Sequence, residues 1–261
     1  MELGAQMFTV HDYTKDLKSF EESLKRIAEI GYTCVQVSGT CDYKPKWLKD
    51  KLEKYGLKCV ITHTAPDKLI NATEYVIEDH NVFDCKYIGL GCMPAIWNPD
   101  YTIDQALDAV KKDFLEPAKK IKDGGKYFMF HNHDYEFVKL QDGRTLYDAM
   151  IEDVPADTLG FTVDTYWVQC GGVDPVALIR KLQGRCPVIH LKDFMPLRHD
   201  PDKNRQRMAA CGDGNLDFKA ILDASKEAGV EYALVEQDNC FGEDPFQCLE
   251  RSYKYLKSIG Y

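Results

Sequence analysis

Short apolar runs alternate with longer amphipathic segments along the chain. The apolar runs are rich in Val, Ile, Leu, Phe and Tyr, which is typical of strands buried on both faces of a parallel sheet. We predict eight such strands, at 3–9, 33–39, 57–64, 86–91, 126–133, 159–165, 186–193 and 231–238.

Segments with apolar residues at helical spacing fill the gaps between these strands. Glycine follows four of them, and two begin with Asp-Pro, which combines a capping side chain with a proline that fits the first helical turn. We predict helices at 15–30, 44–55, 102–123, 174–183 and 216–228, and a last helix that begins at Asp244-Pro245.

Eight strand–helix repeats in 261 residues indicate a (β/α)₈ TIM barrel, an α/β fold that we expect to form a single domain over 1–261. The alternative is an open doubly wound sheet. That fold usually has fewer strands and often a Gly-rich phosphate turn after the first strand, which this chain lacks. The longest irregular stretch, 194–215, follows the seventh strand and should lie over the active face.

Composition narrows the classes of protein that fit this barrel. The net charge of −9 argues against a nucleic-acid partner, whose binding surfaces are basic. No apolar run approaches the roughly 20 residues of a membrane span, and the start of the chain does not resemble a signal peptide. The ten cysteines are scattered without a CxxC pair. We therefore expect reduced thiols in a cytoplasmic protein that has no membrane partner.

Four of the predicted strands end in residues that can bind a metal or carry a proton. These endings are the His131–His133 segment, Asp164, His190 and Glu236. The C-terminal ends of parallel strands lie on one face of a barrel, and His, Asp and Glu are ligands of divalent metals, so we predict a metal site there. The alternatives are a helix cap for Asp164, a hydrogen-bonded core histidine at 190 and a structural ion pair for Glu236.

The end of the fifth strand offers three candidate ligands, His131, His133 and Glu136. Spacing does not rank them, and those that do not bind metal would act as acid–base groups or substrate contacts. His63, Trp167 and Lys192 are candidate substrate contacts near other strand ends. We place the remaining histidines, His11, His80 and His199, at the surface.

Together these segments resemble the sugar phosphate isomerase/epimerase family, whose barrel is shared with xylose isomerase and inosose dehydratase. The resemblance covers nearly the whole chain. Its marks are Gly89-Leu-Gly91, His131-Asn-His133-Asp-Tyr-Glu136-Phe, Asp164-Thr-Tyr-Trp, His190-Leu-Lys-Asp, Gly212-Asp-Gly-Asn-Leu-Asp and Val235-Glu-Gln-Asp.

The family resemblance implies one divalent ion, manganese, cobalt, magnesium or zinc, held by Glu, Asp, His and Glu from four strands. Asp164, His190 and Glu236 match three of these ligands directly. Relatives commonly have a glutamate where this chain has His131, so the resemblance implies Glu136 as the fourth metal ligand. It also leaves Glu136, Glu236, His131 and His133 as the residues that carry protons.

The implied activity is metal-dependent isomerisation or epimerisation of a sugar or sugar phosphate through an enediolate. The alternative is a metal-dependent lyase or dehydratase that acts on a keto-sugar or inosose. The expected partner is a small-molecule carbohydrate, and a homo-oligomer is left open. Lys192, Arg198, Lys203 and Arg205 are candidates to bind a phosphate group on the substrate, but the last three lie in a polar loop, where we expect them to be solvated. A DNA-repair endonuclease fits the net charge of −9 poorly, and a non-catalytic sugar-binding protein is a further hypothesis.

Overall fold

The computed structural model describes residues 1–199 and 205–261, in which eight parallel strands close into a barrel. The barrel strands are β1 (Glu2–Gln6), β2 (Cys34–Val37), β3 (Lys58–His63), β4 (Tyr87–Leu90), β5 (Tyr127–His131), β6 (Leu159–Asp164), β7 (Val188–Leu191) and β10 (Tyr232–Val235). Each strand pairs with its neighbours in chain order, and β10 pairs with β1 to close the barrel. The predicted barrel and all eight strands are confirmed.

The strands are surrounded by helices, six of which were predicted. The helices are α1 (Leu17–Ile30), α2 (Pro45–Tyr55), α3 (Pro66–Asn71), α4 (Thr73–Val82), α5 (Pro94–Trp97), α6 (Ile103–Asp123), α7 (Leu146–Asp153), α8 (Thr165–Cys170), α9 (Pro175–Lys181), α10 (Phe218–Ala228) and α11 (Pro245–Ser258). Two 3₁₀ helices cover Met7–Tyr13 and Tyr135–Phe137. The five helices that were not predicted have ten residues or fewer, too short for a clear apolar stripe.

The ends of α1 show how local sequence sets the helix boundaries. The Asp16 side chain accepts hydrogen bonds from the backbone N–H groups of Lys18 and Ser19, which would otherwise lack partners in the first turn. Gly31 ends the helix with a φ of +118°, a conformation that glycine adopts without strain. A Cβ atom at Gly31 would also lie 2.7 Å from the ring of Tyr253 in α11, so this ring would have to shift to accept any other residue.

The interior of the barrel is filled by a layer of apolar side chains. This layer consists of Cys34, Val60, Ile61, Tyr87, Met129, Val188 and Leu234. A larger apolar cluster packs the outer faces of the strands against the helices. Because side chains alternate along a strand, residues two positions after an inward apolar residue also point inward, toward the C-terminal end of the barrel.

The stretch 194–215, predicted to be irregular, contains an antiparallel pair of strands, β8 (Asp193–Pro196) and β9 (Gln206–Ala209). The Asp193 carboxylate accepts hydrogen bonds from the backbone N–H groups of Gly212, Gly214 and Leu216. This carboxylate therefore anchors the chain after β9. Lys203 lies outside the described residues.

All ten cysteines are free thiols, and six of them are buried. No helix in the described part of the chain is both long and apolar enough to cross a membrane.

His80 is buried, so its predicted surface position was wrong. Its side chain is 4% exposed. Its Nδ1 lies 2.7 Å from the Val76 carbonyl oxygen and its Nε2 lies 2.8 Å from Thr62 Oγ1. Since a carbonyl oxygen only accepts, Nδ1 carries the proton and Nε2 accepts from the hydroxyl. Burial lowers the pKa of His80 to about 4.

We expect His80→Gln to reduce the acid sensitivity of folding. Between about pH 6.5 and pH 4 the unfolded chain binds a proton at His80 that the folded protein does not, so wild-type stability falls as pH falls through this window. The contribution is about 3 kcal/mol. The free energy of urea unfolding, measured at about pH 7 and pH 4.5, should fall less in His80→Gln than in wild type. Exposed His199→Gln is the matched control, and equal pH dependence in wild type and His80→Gln would contradict this role.

Candidate metal centre

A layer of polar side chains lies above the apolar layer, at the C-terminal ends of the barrel strands. Strand alternation places its members two residues after inward apolar positions, glycine or, for Asp164, the buried Thr162. They are Gln6, Gln36, His63, His131, Asp164, His190 and Glu236. Three of the seven were identified from sequence as metal ligands. Gln6 and Gln36 were not, although both lie at inward positions of predicted strands.

Four members of this layer bring ligand atoms together. One atom each from His131, Asp164, His190 and Glu236 lies within 4.8 Å of the other three. His190 Nδ1 is 2.8 Å from Glu236 Oε2 and 3.8 Å from Asp164 Oδ2, and His131 Nε2 is 3.4 Å from the same Asp164 oxygen. All four side chains are less than 5% exposed. Two imidazole nitrogens and two carboxylate oxygens are a suitable donor set for a divalent cation.

Hydrogen bonds to the opposite ring nitrogens set the tautomers of both histidines. His131 Nδ1 lies 3.2 Å from the Gly91 carbonyl oxygen, and His190 Nε2 lies 2.7 Å from Gln36 Oε1. Both partners are acceptors, so these nitrogens carry the protons. His131 Nε2 and His190 Nδ1 therefore face the cluster, and each offers its lone pair to a metal once that nitrogen carries no proton.

The two carboxylates are oriented in the same way. The Gln6 side-chain amide donates a hydrogen bond of 2.8 Å to Glu236 Oε1, and the backbone N–H of Trp167 donates one of 3.1 Å to Asp164 Oδ1. Glu236 Oε2 and Asp164 Oδ2 face the cluster. Each of the four candidate ligands thus has a protein partner on its outer atom, an arrangement typical of metal sites.

Lys192 supplies the positive charge that balances these buried carboxylates. It is 1% exposed, and its Nζ lies 2.9 Å from Asp164 Oδ2, 3.1 Å from Glu236 Oε2 and 2.9 Å from Asp238 Oδ1. Burial lowers the pKa of Lys192, but the three carboxylates more than offset this and hold it above its ordinary value. The ammonium group therefore binds the same two oxygens that face the cluster.

The pKa values within the cluster favour ionised carboxylates. Burial raises the pKa of Asp164 and Glu236, but the Lys192 charge and the neighbouring histidines hold both pKa values well below the ordinary range. Burial also lowers the pKa of His190, yet the carboxylates of Glu236 and Asp164 raise it to about 8. Burial lowers the pKa of His131. The carboxylates are thus in the form that binds cations.

The structure brings His131, and not Glu136, to the four-residue cluster. The strand β5 ends at His131, two residues after the inward-facing Met129. Glu136 lies in the 3₁₀ turn that follows, is 0% exposed and accepts a hydrogen bond of 2.7 Å from the backbone N–H of His133. Burial raises the pKa of Glu136 to about 7. The cluster thus contains His131 where the predicted ligand set contained Glu136.

Asn132 connects the fifth strand to the sixth and had no signal in the sequence. Its side-chain oxygen accepts a hydrogen bond of 3.0 Å from the backbone N–H of Asp164, and the residue is fully buried. Asn132 therefore fixes the position of Asp164, while the Glu136 carboxyl fixes the backbone at His133.

A cavity of about 400 Å³ opens above the cluster. His63, His133, Lys192 and Asp238 line it together with His131 and Glu236. Two of the predicted substrate contacts, His63 and Lys192, thus line this cavity. Trp167 lies beside it, with its ring 5.3 Å from that of His133 and 5.6 Å from Lys192 Nζ.

The closed parallel barrel and the buried cluster at its strand ends define a TIM-barrel protein with a candidate divalent-metal centre. The sequence pattern of the xylose isomerase-like TIM barrel family matches residues 24–258, and the chain belongs to this family. The family resemblance noted in the sequence is confirmed.

Known relatives are similar over almost the whole chain. Inosose dehydratase of Geobacillus kaustophilus (strain HTA426) is 24% identical over 280 residues, which cover 94% of this chain and 85% of that protein. A sugar phosphate isomerase/epimerase from Parabacteroides distasonis ATCC 8503 superimposes with a TM-score of 0.80 at 19% identity, covering 99% of this chain and 94% of its own. The IolI protein with a bound zinc atom superimposes with a TM-score of 0.73 at 14% identity, covering 99% of this chain and 98% of that protein.

Proposed function

We propose that this protein is a divalent-metal-dependent isomerase or epimerase that acts on a small-molecule carbohydrate at the carbon next to its carbonyl group. The observation that carries the proposal is the four-residue cluster, in which His131, Asp164, His190 and Glu236 each hold one ligand atom toward a common point while a protein partner occupies the other. The relationship to named sugar isomerases and inosose dehydratases supports this assignment.

In this proposal the four residues of the cluster hold the metal, so His131 replaces Glu136 as the fourth ligand. Two imidazole donors favour manganese, cobalt or zinc over magnesium, which prefers oxygen ligands. The bound cation supplies Lewis-acid polarisation of the substrate oxygens and stabilises the negative charge that develops on them. The zinc atom of the IolI protein is consistent with this choice of metals.

Asp238 and His133 are the best candidates to move protons, because both line the cavity and neither belongs to the cluster. Burial and the Glu236 charge raise the pKa of Asp238 to about 7, which suits a group that takes and returns a proton near neutral pH. Burial lowers the pKa of His133 to about 3, so His133 is neutral at pH 7. Lys192 Nζ lies 2.9 Å from Asp238 Oδ1 and holds Asp238 in place.

Elimination is a second candidate reaction, and one observation favours it. Asp238 is the only carboxylate outside the cluster among the described residues that line this cavity. Elimination requires a single base: Asp238 takes the C–H proton, a carbon–carbon double bond forms, and the neighbouring C–O bond breaks. Asp238 then gives this proton to the departing hydroxide, which leaves as water. This chemistry is consistent with the similarity to inosose dehydratase, since a dehydratase eliminates water.

The proposal is tested with the Mn²⁺-loaded protein in deuterium oxide, using a panel of ketoses and 3-keto-sugars. Deuterium exchange at the carbon next to the carbonyl, detected by NMR, is expected for both reactions. Epimers or isomers without an ultraviolet-absorbing enone support the first reaction, and an enone supports elimination. Full metal occupancy with no exchange on any substrate would instead indicate a sugar-binding protein.

In the same assay we expect Asp238→Asn to lower turnover about 10²–10⁴-fold while Mn²⁺ still binds, because an amide cannot take up the proton. Asp108→Asn, at an exposed position of α6, is the matched control. Unchanged turnover in Asp238→Asn would remove this residue from the mechanism.

A further inference from the structure

A second cavity, of about 280 Å³, lies beside the metal-centre cavity. It is formed by the chain between β2 and α2 together with residues of α3 and α4. Four residues line both cavities, and they are Ser38, His63, Thr64 and Ala65. The two cavities therefore adjoin along these residues, and a ligand bound in one can reach the other. We call the second one the side cavity.

The lining of the side cavity suits a ligand with many hydroxyl groups. Thr40 and Thr64 offer hydroxyls, and Asp42 and Asp79 offer carboxylates that accept hydrogen bonds. Tyr43 adds an aromatic surface. A few polar groups beside aromatic and apolar surface is the usual composition of a small-molecule site.

The charges that line the two cavities disfavour a phosphate group. Among the described residues, Lys68 is the only lysine or arginine of the side cavity, whose lining also includes two carboxylates, and Lys192 is the only one of the metal-centre cavity. Lys192 is already engaged by three carboxylates. Arg198 and Arg205, candidates for phosphate contact from sequence, are exposed and line neither cavity. Phosphate sites normally concentrate arginine and lysine.

His63 stands at the junction of the two cavities. Its Nδ1 lies 3.2 Å from Ser38 Oγ, and its ring centroid is 5.1 Å from that of His131. Its Nε2 is buried and has no hydrogen-bond partner in the part of the chain that the structure describes. A buried ring nitrogen without a partner is costly unless a ligand or water pairs with it. His63 therefore lies where the two cavities meet, between Ser38 and the cluster.

We infer that the substrate is an unphosphorylated carbohydrate of two linked units, with the reacting sugar in the metal-centre cavity and a second, hydroxyl-rich unit in the side cavity. The inference rests on the proposed function, because it takes the cluster as the reacting centre. The metal-centre cavity is near the lower end of the roughly 300–1,000 Å³ of small-molecule pockets, and the side cavity adds about 280 Å³ for the second unit.

The test compares a 3-keto-monosaccharide, its 6-phosphate and a disaccharide that carries the same 3-keto-sugar as one unit, using the Mn²⁺-loaded protein. We expect kcat/KM to be at least about tenfold higher for the disaccharide than for either monosaccharide, because it alone contacts both cavities. The double variant Asp42→Asn/Asp79→Asn should bring this ratio toward one. Asp67→Asn, on α3 but outside both cavities, is the matched control.

Equal kcat/KM for the monosaccharide and the disaccharide, or a preference for the 6-phosphate, would overturn the inference. If no substrate reacts, the proposed function fails, and binding decides the inference separately. Saturation-transfer NMR is then recorded with cellobiose and with glucose. Saturation of both rings of cellobiose that is lost in Asp42→Asn/Asp79→Asn supports two subsites, and saturation of one ring or none excludes them.

Discussion

Asp164→Asn and His190→Ala should each remove divalent metal binding and turnover together. Asp164 Oδ2 and His190 Nδ1 both face the cluster, and both side chains are fully buried, so no solvent-exposed group can take their place. Loss of a residue that only orients a ligand typically lowers metal affinity 10–100-fold. Loss of a ligand itself should therefore exceed about 100-fold. Isothermal titration with Mn²⁺ and the deuterium-exchange assay measure the two effects.

The same titration identifies the fourth ligand. His131→Ala should weaken Mn²⁺ binding as strongly as the other two variants, whereas Glu136→Gln should retain it, because Glu136 lies outside the cluster and glutamine can still accept from the His133 N–H group. Asp108→Asn is the exposed control, and circular dichroism confirms that each variant is folded. Metal binding retained in both Asp164→Asn and His190→Ala would refute the site, and loss in Glu136→Gln alone would restore the ligand set implied by the resemblance.

Lys192→Met should strongly destabilise the metal-free protein. The ammonium group lies within 3.1 Å of oxygens of Asp164, Glu236 and Asp238, and Lys192 is 1% exposed. Methionine fills a similar volume but leaves these carboxylates without a cation. Removing one partner from a buried ion pair typically costs about 3–5 kcal/mol. The free energy of urea unfolding after treatment with a chelator measures the loss.

Added Mn²⁺ should stabilise Lys192→Met more than it stabilises the wild-type protein. In the wild type, Lys192 already neutralises Asp164 Oδ2 and Glu236 Oε2, the oxygens that we propose as metal ligands, whereas in the variant the metal replaces this missing charge. The control is Lys219→Met, which breaks an exposed ion pair with Asp223 and should cost less than about 1 kcal/mol. The role of Lys192 would be contradicted if Lys192→Met and Lys219→Met lost equal free energy of unfolding. It would also be contradicted if Mn²⁺ stabilised Lys192→Met no more than the wild type.

The barrel strands could be predicted from the sequence because each is buried on both faces. The strand 159–164 has only one polar residue, Thr162, before its final Asp164, so its signal is strong and local. Asp164, His190 and Glu236 could be predicted for the same reason, since a charged or titratable residue that ends an apolar strand is conspicuous. The short helices α3, α4 and α7 could not be predicted, because packing against the barrel stabilises them more than their own sequence does. Because α4 was not predicted, His80, which lies in this helix, was wrongly predicted at the surface.

The sequence by itself determined the barrel and three residues of the cluster, because alternation and apolar runs act over a few residues. Only the tertiary structure decided the fourth member, since the point where β5 ends decides whether His131 or Glu136 reaches the cluster. The partners that orient the cluster also required the fold. Gln6 contacts Glu236 across 230 positions of sequence, and Gln36 contacts His190 across 154. Closure of the barrel brings these residues together, so no local sequence pattern could predict their contacts.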